Sequence, residues 1–252
     1  STGTITATEV HTTFVSASIA KASGSNIFGD DASDTHQFTG SVFISGSRID
    51  LHDGKNNTAV GKDALSSITT GTDNVVVGYQ AGDGFDAESD NIFIGSGAGG
   101  GASLAIGETV AIGSNALLAL TDGSNNIAIG HGALKEHTGG ARNIAIGHGA
   151  MDETAGSSAA ASNYNVAIGY NSMGGEWHNT ESNYNTAIGA FTMDATMTGS
   201  NENTAVGYAT LTAITTGDNN TAIGTQAGEA LTTAANATPY WMASWSRPHI
   251  WW

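Results

Sequence analysis

Along most of this chain, small and apolar residues hold fixed places between polar turns. A five-residue unit recurs: Asn, then Thr, Ile or Val, then usually Ala, then Val or Ile, then Gly. It runs from Asn57 to Gly61, Asn74 to Gly78, Asn91 to Gly95, Asn126 to Gly130, Asn143 to Gly147, Asn165 to Gly169, Asn185 to Gly189, Asn203 to Gly207 and Asn220 to Gly224. A variant headed by Thr109 ends at Gly113. The closing glycines are spaced 17, 17, 18, 17, 17, 22, 20, 18 and 17 residues apart. Three residues after each Gly stands Ala, Ser or Thr, and the next position is Leu, Met or Gly. An extra Leu104-Ala105-Ile106-Gly107 marks a local irregularity in one unit.

A βαβ unit needs about 30 residues, so this period is too short for one. It fits one coil of a parallel β-solenoid with two short strands and two turns, and neighbouring coils about 4.8 Å apart. Ten coils then make a rod of roughly 50 Å. Side chains alternate along a strand. In Asn126-Ile127-Ala128-Ile129 the isoleucines share one face, and Asn126 and Ala128 share the other. Neither face carries charge, so both are expected to be covered, one by the lumen and one by a second copy of the chain. The recurring Asn is expected to stack on itself as an amide ladder. Two coils carry insertions, one through 151–162 and one through 174–182, the latter with Trp177 and His178. Insertions in solenoids project as surface loops, which makes Trp177 a candidate contact residue.

Composition narrows the function classes. The chain has 252 residues, 35 Gly, 2 Pro and no Cys, and only 12% are charged. That suits short strands and tight turns rather than helices. Disulfides and thiolate metal sites are excluded. The formal net charge of −16 argues against nucleic acid, whose binding requires cations on phosphates, and against anionic membrane surfaces. No apolar run approaches the roughly 20 residues that span a bilayer, so no membrane insertion is expected. No nucleophile elbow or phosphate loop is present, and the chain reads as a non-enzyme without cofactor or metal. His131 and His148 fall at the same repeat position, where other coils place Tyr79, Tyr170 and Tyr208, so an aromatic surface row is expected there. The acidic stretch 83–90 matches no calcium loop and reads as a solvated turn.

The unit Asn57-Thr58-Ala59-Val60-Gly61-Lys62-Asp63-Ala64-Leu65 and its copies resemble the head repeats of trimeric autotransporter adhesins, and still more the related repeats of bacteriophage tail fibres. The resemblance covers about residues 54–230. It implies an all-β, left-handed parallel β-roll of about ten coils assembled as a homotrimeric fibre. It further implies a virion tail fibre with a host-attachment role. A bacterial surface adhesin head, or a spacer without receptor binding, is the alternative. Segments around Phe14-Val15-Ser16 and Phe38 to Ser47 are similar to lead-in segments of phage structural proteins, which places contacts to tail or baseplate proteins in the N-terminal region. The expected organisation is a lead-in region over 1–53, the solenoid over 54–232 and an aromatic tip over 233–252.

That last segment holds Tyr240, Trp241, Trp245, Trp251 and Trp252 beside Pro239 and Pro248. Aromatic faces stack on sugars and anchor interfaces. Together with Arg247, His249 and Trp177, they are the candidate contacts for a host glycan or protein. An end plug locking the chains together is the competing reading, because terminal repeats need caps.

Overall fold

Each Asn-x-Ala-Ile unit forms a strand of three residues. In this computed structural model, residues 55–101, 107–154, 161–178, 180–233, 235–236 and 240–241 are described. They belong to a single structural unit, Asp50–Trp252. The strands are β1 (Thr58–Val60), β2 (Val75–Val77), β3 (Ile92–Ile94), β4 (Val110–Ile112), β5 (Ile127–Ile129), β6 (Ile144–Ile146), β7 (Val166–Ile168), β8 (Thr186–Ile188), β9 (Thr204–Val206), β10 (Thr221–Ile223) and β11 (Tyr240–Trp241). They pair in sequence order as one parallel sheet, with each unit in register with the next, as Ala128 is with Ala145. The result is a β-solenoid of about nine turns, all-β as the period predicts. No helix occurs among the described residues.

The alanine face turns inward. Ala111, Ala128, Ala145, Ala167, Ala187 and Ala205 are fully buried, and the flanking Ile and Val side chains face out. A narrow coil has room for a methyl group at this place and little more. Val76 and Phe93 are the larger exceptions, both buried, and Gly82 and Gly99 leave the facing wall open to the Phe93 ring. A Cβ at Gly99 would stand 2.8 Å from the Phe93 ring. Phe93 also packs on Phe85, with ring centroids 4.8 Å apart.

The asparagine ladder is present and buried. Asn143 donates from its backbone N–H and from Nδ2 to Asn126 Oδ1, at 2.9 and 3.3 Å. Its Nδ2 also donates to the Ser162 carbonyl at 2.9 Å. The same set recurs from Asn165 to Asn143, Asn185 to Asn165, Asn203 to Asn185 and Asn220 to Asn203. Each amide ties its strand to the previous coil, and those of Asn143, Asn165, Asn185 and Asn203 also bond a carbonyl of their own return leg, as a buried amide requires. Thr109 interrupts the amide chain, since its hydroxyl turns to the Gly107 carbonyl at 3.2 Å.

The glycine column has its own cause. At Gly130, φ is 135° and a Cβ would lie 2.3 Å from the Gly147 carbonyl oxygen. The backbones approach too closely there for any side chain.

The second expected strand is absent. After each Gly the chain follows a leg in which the second and fourth residues take left-handed backbone, such as Asn115 (φ 57°) and Leu117 (φ 51°). Alternating left-handed residues cannot extend, so the leg is a run of turns. It still bonds coil to coil: Leu117 N–H donates to the Ala133 carbonyl and Leu134 N–H to that of Ala150, both at 3.0 Å. Its Leu and Met side chains fill the lumen opposite the alanines.

One short strand falls within the segment expected as an aromatic tip. Tyr240–Trp241 pairs with β10 in register, Ala222 with Tyr240 and Ile223 with Trp241, so the sheet runs beyond residue 232. The expected lead-in over 1–53, the irregular 104–106 stretch and residues 242–252 lie outside the described residues.

Candidate interaction surface

The outward face of the sheet carries Val or Ile at the third residue of every strand from β1 to β10 and at the first residue of β2 to β7, while Thr58, Thr186, Thr204 and Thr221 hold that first place in β1, β8, β9 and β10. Val75, Val77, Ile92, Ile94, Ile188 and Ile223 are exposed, and the isoleucines of β5 and β6 are half-buried. These side chains form two rows, one from the first and one from the third residue of each strand. A contiguous apolar face of this kind marks an interaction surface on a water-exposed protein.

Aromatic residues border it on both sides. The position after the column glycine carries His131, His148, Tyr170 and Tyr208. His131 stacks on His148 with centroids 5.0 Å apart, and His148 on Tyr170 at 5.3 Å. Phe191 then meets Tyr170 and Tyr208 edge-on, at 5.2 and 6.1 Å. At the far end of the same row, the Lys62 ammonium lies 5.8 Å from the Tyr79 ring. The residue before the ladder position carries a second row, in which the Arg142 guanidinium covers Tyr164 at 5.4 Å and Tyr164 stacks on Tyr184 at 5.0 Å. The expected aromatic row is therefore one of two. Phe191 escaped sequence reading because Ala190 holds the equivalent repeat position.

A group of carboxylates gathers in the coils around the two insertions. Burial holds Asp152 above the usual carboxylate range, with the Glu153 and Glu136 charges adding to the shift and Lys135 opposing it. Burial likewise raises Asp194, against a hydrogen bond from Asn171 Nδ2 at 3.2 Å. His178 lies at the surface beside Glu176, 3.1 Å away. Glu88, in the stretch considered for calcium, accepts the backbone N–H groups of Asp86 and Ala87 at 2.8 and 2.9 Å. Among the described residues no group of three or more His, Asp or Glu side chains is placed to hold a metal ion.

Trp177 is placed in the lumen, not on a projecting loop. It is 1% exposed, its Nε1 donates to the Met173 carbonyl at 3.3 Å, and its backbone bridges to Met197. The lengthened coil puts it eight residues after Gly169. It thereby joins the buried row that regular coils fill seven residues after their Gly, with Leu120 and Ile214. A ring inside the coil presents no face to a receptor. Of the C-terminal candidates, Tyr240 and Trp241 are fixed as backbone positions on β11. Trp245, Arg247, His249, Trp251 and Trp252 lie outside the described residues.

No protein family, no curated protein and no solved structure matches the chain.

Proposed function

We propose that this chain is a structural fibre protein of a phage virion, a homotrimeric tail fibre that contributes to host attachment. The observation that carries the reading is the outward Ile/Val strip of a cysteine-free solenoid, one row from β1 to β10 and a second beside it from β2 to β7. Such a strip in water favours burial against an equivalent strip, at about 25 cal/mol per Å² of apolar surface removed. The strip repeats coil by coil, so copies of the same chain offer matching surfaces, as symmetric assembly requires. The number three, the left hand of the coil and the virion setting come from the resemblance of the Asn-x-Ala-Ile-Gly units to adhesin heads and phage fibres. In this reading tail or baseplate proteins contact the N-terminal region, and a host glycan or protein meets the aromatic C-terminal segment. The fibre acts by shape and contact rather than catalysis, and needs no cofactor.

Native mass spectrometry at micromolar concentration is expected to give a trimer, and a stable monomer would overturn the assembly. Antibody labelling of intact particles is expected to decorate the tail. Labelling confined to a bacterial surface would transfer the same molecule to the adhesin-head reading. A trimer that labels the tail but neither binds cells nor blocks adsorption would be a spacer.

A further inference from the structure

The same tetrapeptide closes both lengthened coils. Ser162-Asn163-Tyr164-Asn165 follows the first insertion, and Ser182-Asn183-Tyr184-Asn185 follows the second. The two copies zip together. The Ser182 N–H donates to Ser162 Oγ at 2.9 Å, and the Asn163 N–H donates to Asn183 Oδ1 at 2.6 Å. The Tyr184 N–H donates to the Asn163 carbonyl at 3.2 Å. The Asn185 N–H and Nδ2 both donate to Asn165 Oδ1, at 3.0 and 3.2 Å. Every residue flanking the two tyrosines is thereby held in register.

The tyrosines themselves share one backbone conformation, with φ of 58° and 60°, so their side chains leave the coil the same way. Their rings lie nearly parallel, 10° apart in tilt with centroids 5.0 Å apart. Both are open to solvent, at 42% and 57%. No other two tyrosines among the described residues are neighbours in this way. Tyr170 lies between His148 and Phe191, Tyr208 meets Phe191, and Tyr79 meets Lys62.

We propose that Tyr164 and Tyr184 are a site of oxidative tyrosine coupling, which ties the β7 and β8 coils by a carbon–carbon bond. The co-reactant is a one-electron oxidant working with hydrogen peroxide. Each phenol gives up one electron and one proton, leaving a phenoxyl radical with spin on the ring carbons beside the oxygen. The two radicals join through one such Cε carbon each. The hydrogen on each joined carbon then moves to its oxygen and restores both rings. Two tyrosines and one peroxide become one dityrosine and two waters. The fold supplies proximity: a radical on one ring has the second phenol at stacking distance, already oriented, instead of awaiting a collision. The bond would enclose the second insertion in a covalent loop. It gives a chain without cysteine a way to staple its two longest coils.

The test treats the full chain with a peroxidase and hydrogen peroxide. Dityrosine fluorescence should appear, with a loss of two hydrogen atoms from the single-chain mass. Tandem mass spectrometry should join the peptides carrying residues 164 and 184. Thermal melting of the treated chain should move upward. Y164F and Y184F keep the stacked rings and should melt like the parent, but each should lose the fluorescence and the upward shift. Y170F, Y208F and Y240F should keep both. Fluorescence that survives in Y184F, or cross-links that join other tyrosines or separate chains while the 164–184 peptide is missing, would overturn the proposal.

Discussion

In the Asn143 side chain, Nδ2 donates to Asn126 Oδ1 and to the Ser162 carbonyl, and Oδ1 accepts the Asn165 N–H and Nδ2, so its loss strands buried groups in the lumen wall. Leaving buried donors and acceptors unmet costs about 1–3 kcal/mol. Asn143→Ala is therefore expected to lower stability by that amount in urea unfolding. Asn143→Thr should cost less, because Thr109 already fills this position with a self-satisfied hydroxyl. His137 is the other polar residue with a structural role. It occupies the apolar row of Leu120 and Ile214, fully buried, with Nδ1 3.1 Å from Thr154 Oγ1. Its Nε2 accepts the Gly140 N–H at 3.3 Å and lies 3.4 Å from Asn143 Nδ2. Burial lowers its pKa from 6.5 to about 4, with the Gly140 backbone opposing. The unfolded chain thus takes up this proton near pH 6.5 and the native one near pH 4. The contribution of the neutral ring to stability is complete above pH 6.5 and is lost as pH falls toward 4. Asp152 and Asp194, whose pKa values are raised, act with the opposite sign, gaining stability as pH falls. His137→Leu should flatten the fall in melting temperature between pH 6.5 and 4.5, while the carboxylate contributions remain. An unchanged slope would show that folding leaves the proton affinity of this ring as it is in the unfolded chain.

At the scale of the element, the strands were legible and the return legs were not. Period-2 alternation in Asn126-Ile127-Ala128-Ile129 defines two faces, but both are uncharged, so pattern alone leaves their direction open. Volume decides it: a lumen lined on its other side by Leu134 and Met151 admits methyl groups. The return leg is expected to hold a second strand only because a 17-residue period suits a coil of two short strands and two turns. Its signal was the exchange of Gly82, Gly99 and Gly228 with Leu117, Leu134 and Met173 at one repeat position. That exchange is intelligible only for left-handed backbone. Trp177 misled for a related reason. Aromatics within insertions are read as surface, whereas the added length carried this one inward. Trp177→Ala is expected to cost about 3–5 kcal/mol, as large-to-small changes in cores do. It should disturb the melt, and should weaken cell binding only in step with the loss of folded protein. Loss of binding with an unchanged melt would restore Trp177 as a contact residue.

For the whole molecule, the decisive surface is the Ile/Val strip between its aromatic borders. Ile129→Glu with Ile146→Glu places two charges on adjacent strands of that strip without entering the lumen. If copies pack there, sedimentation should report monomers at concentrations where the parent is assembled, while the circular dichroism of the solenoid persists. An unchanged assembly would move the contact elsewhere. The near-identity of the coils has a further consequence, for how the chain finds its register. Where every unit fits every other, β5 can in principle pair with β7 as readily as with β6, and a slip by one coil leaves most ladder bonds intact. Unequal spacing is what tells the coils apart. The Thr109 break, the 22- and 20-residue coils, and the matched tetrapeptides that close them act as uneven marks on an otherwise uniform ruler. A chain that skips a coil brings the wrong marks together. The irregular coils thus serve as a proofreading scale for the regular ones.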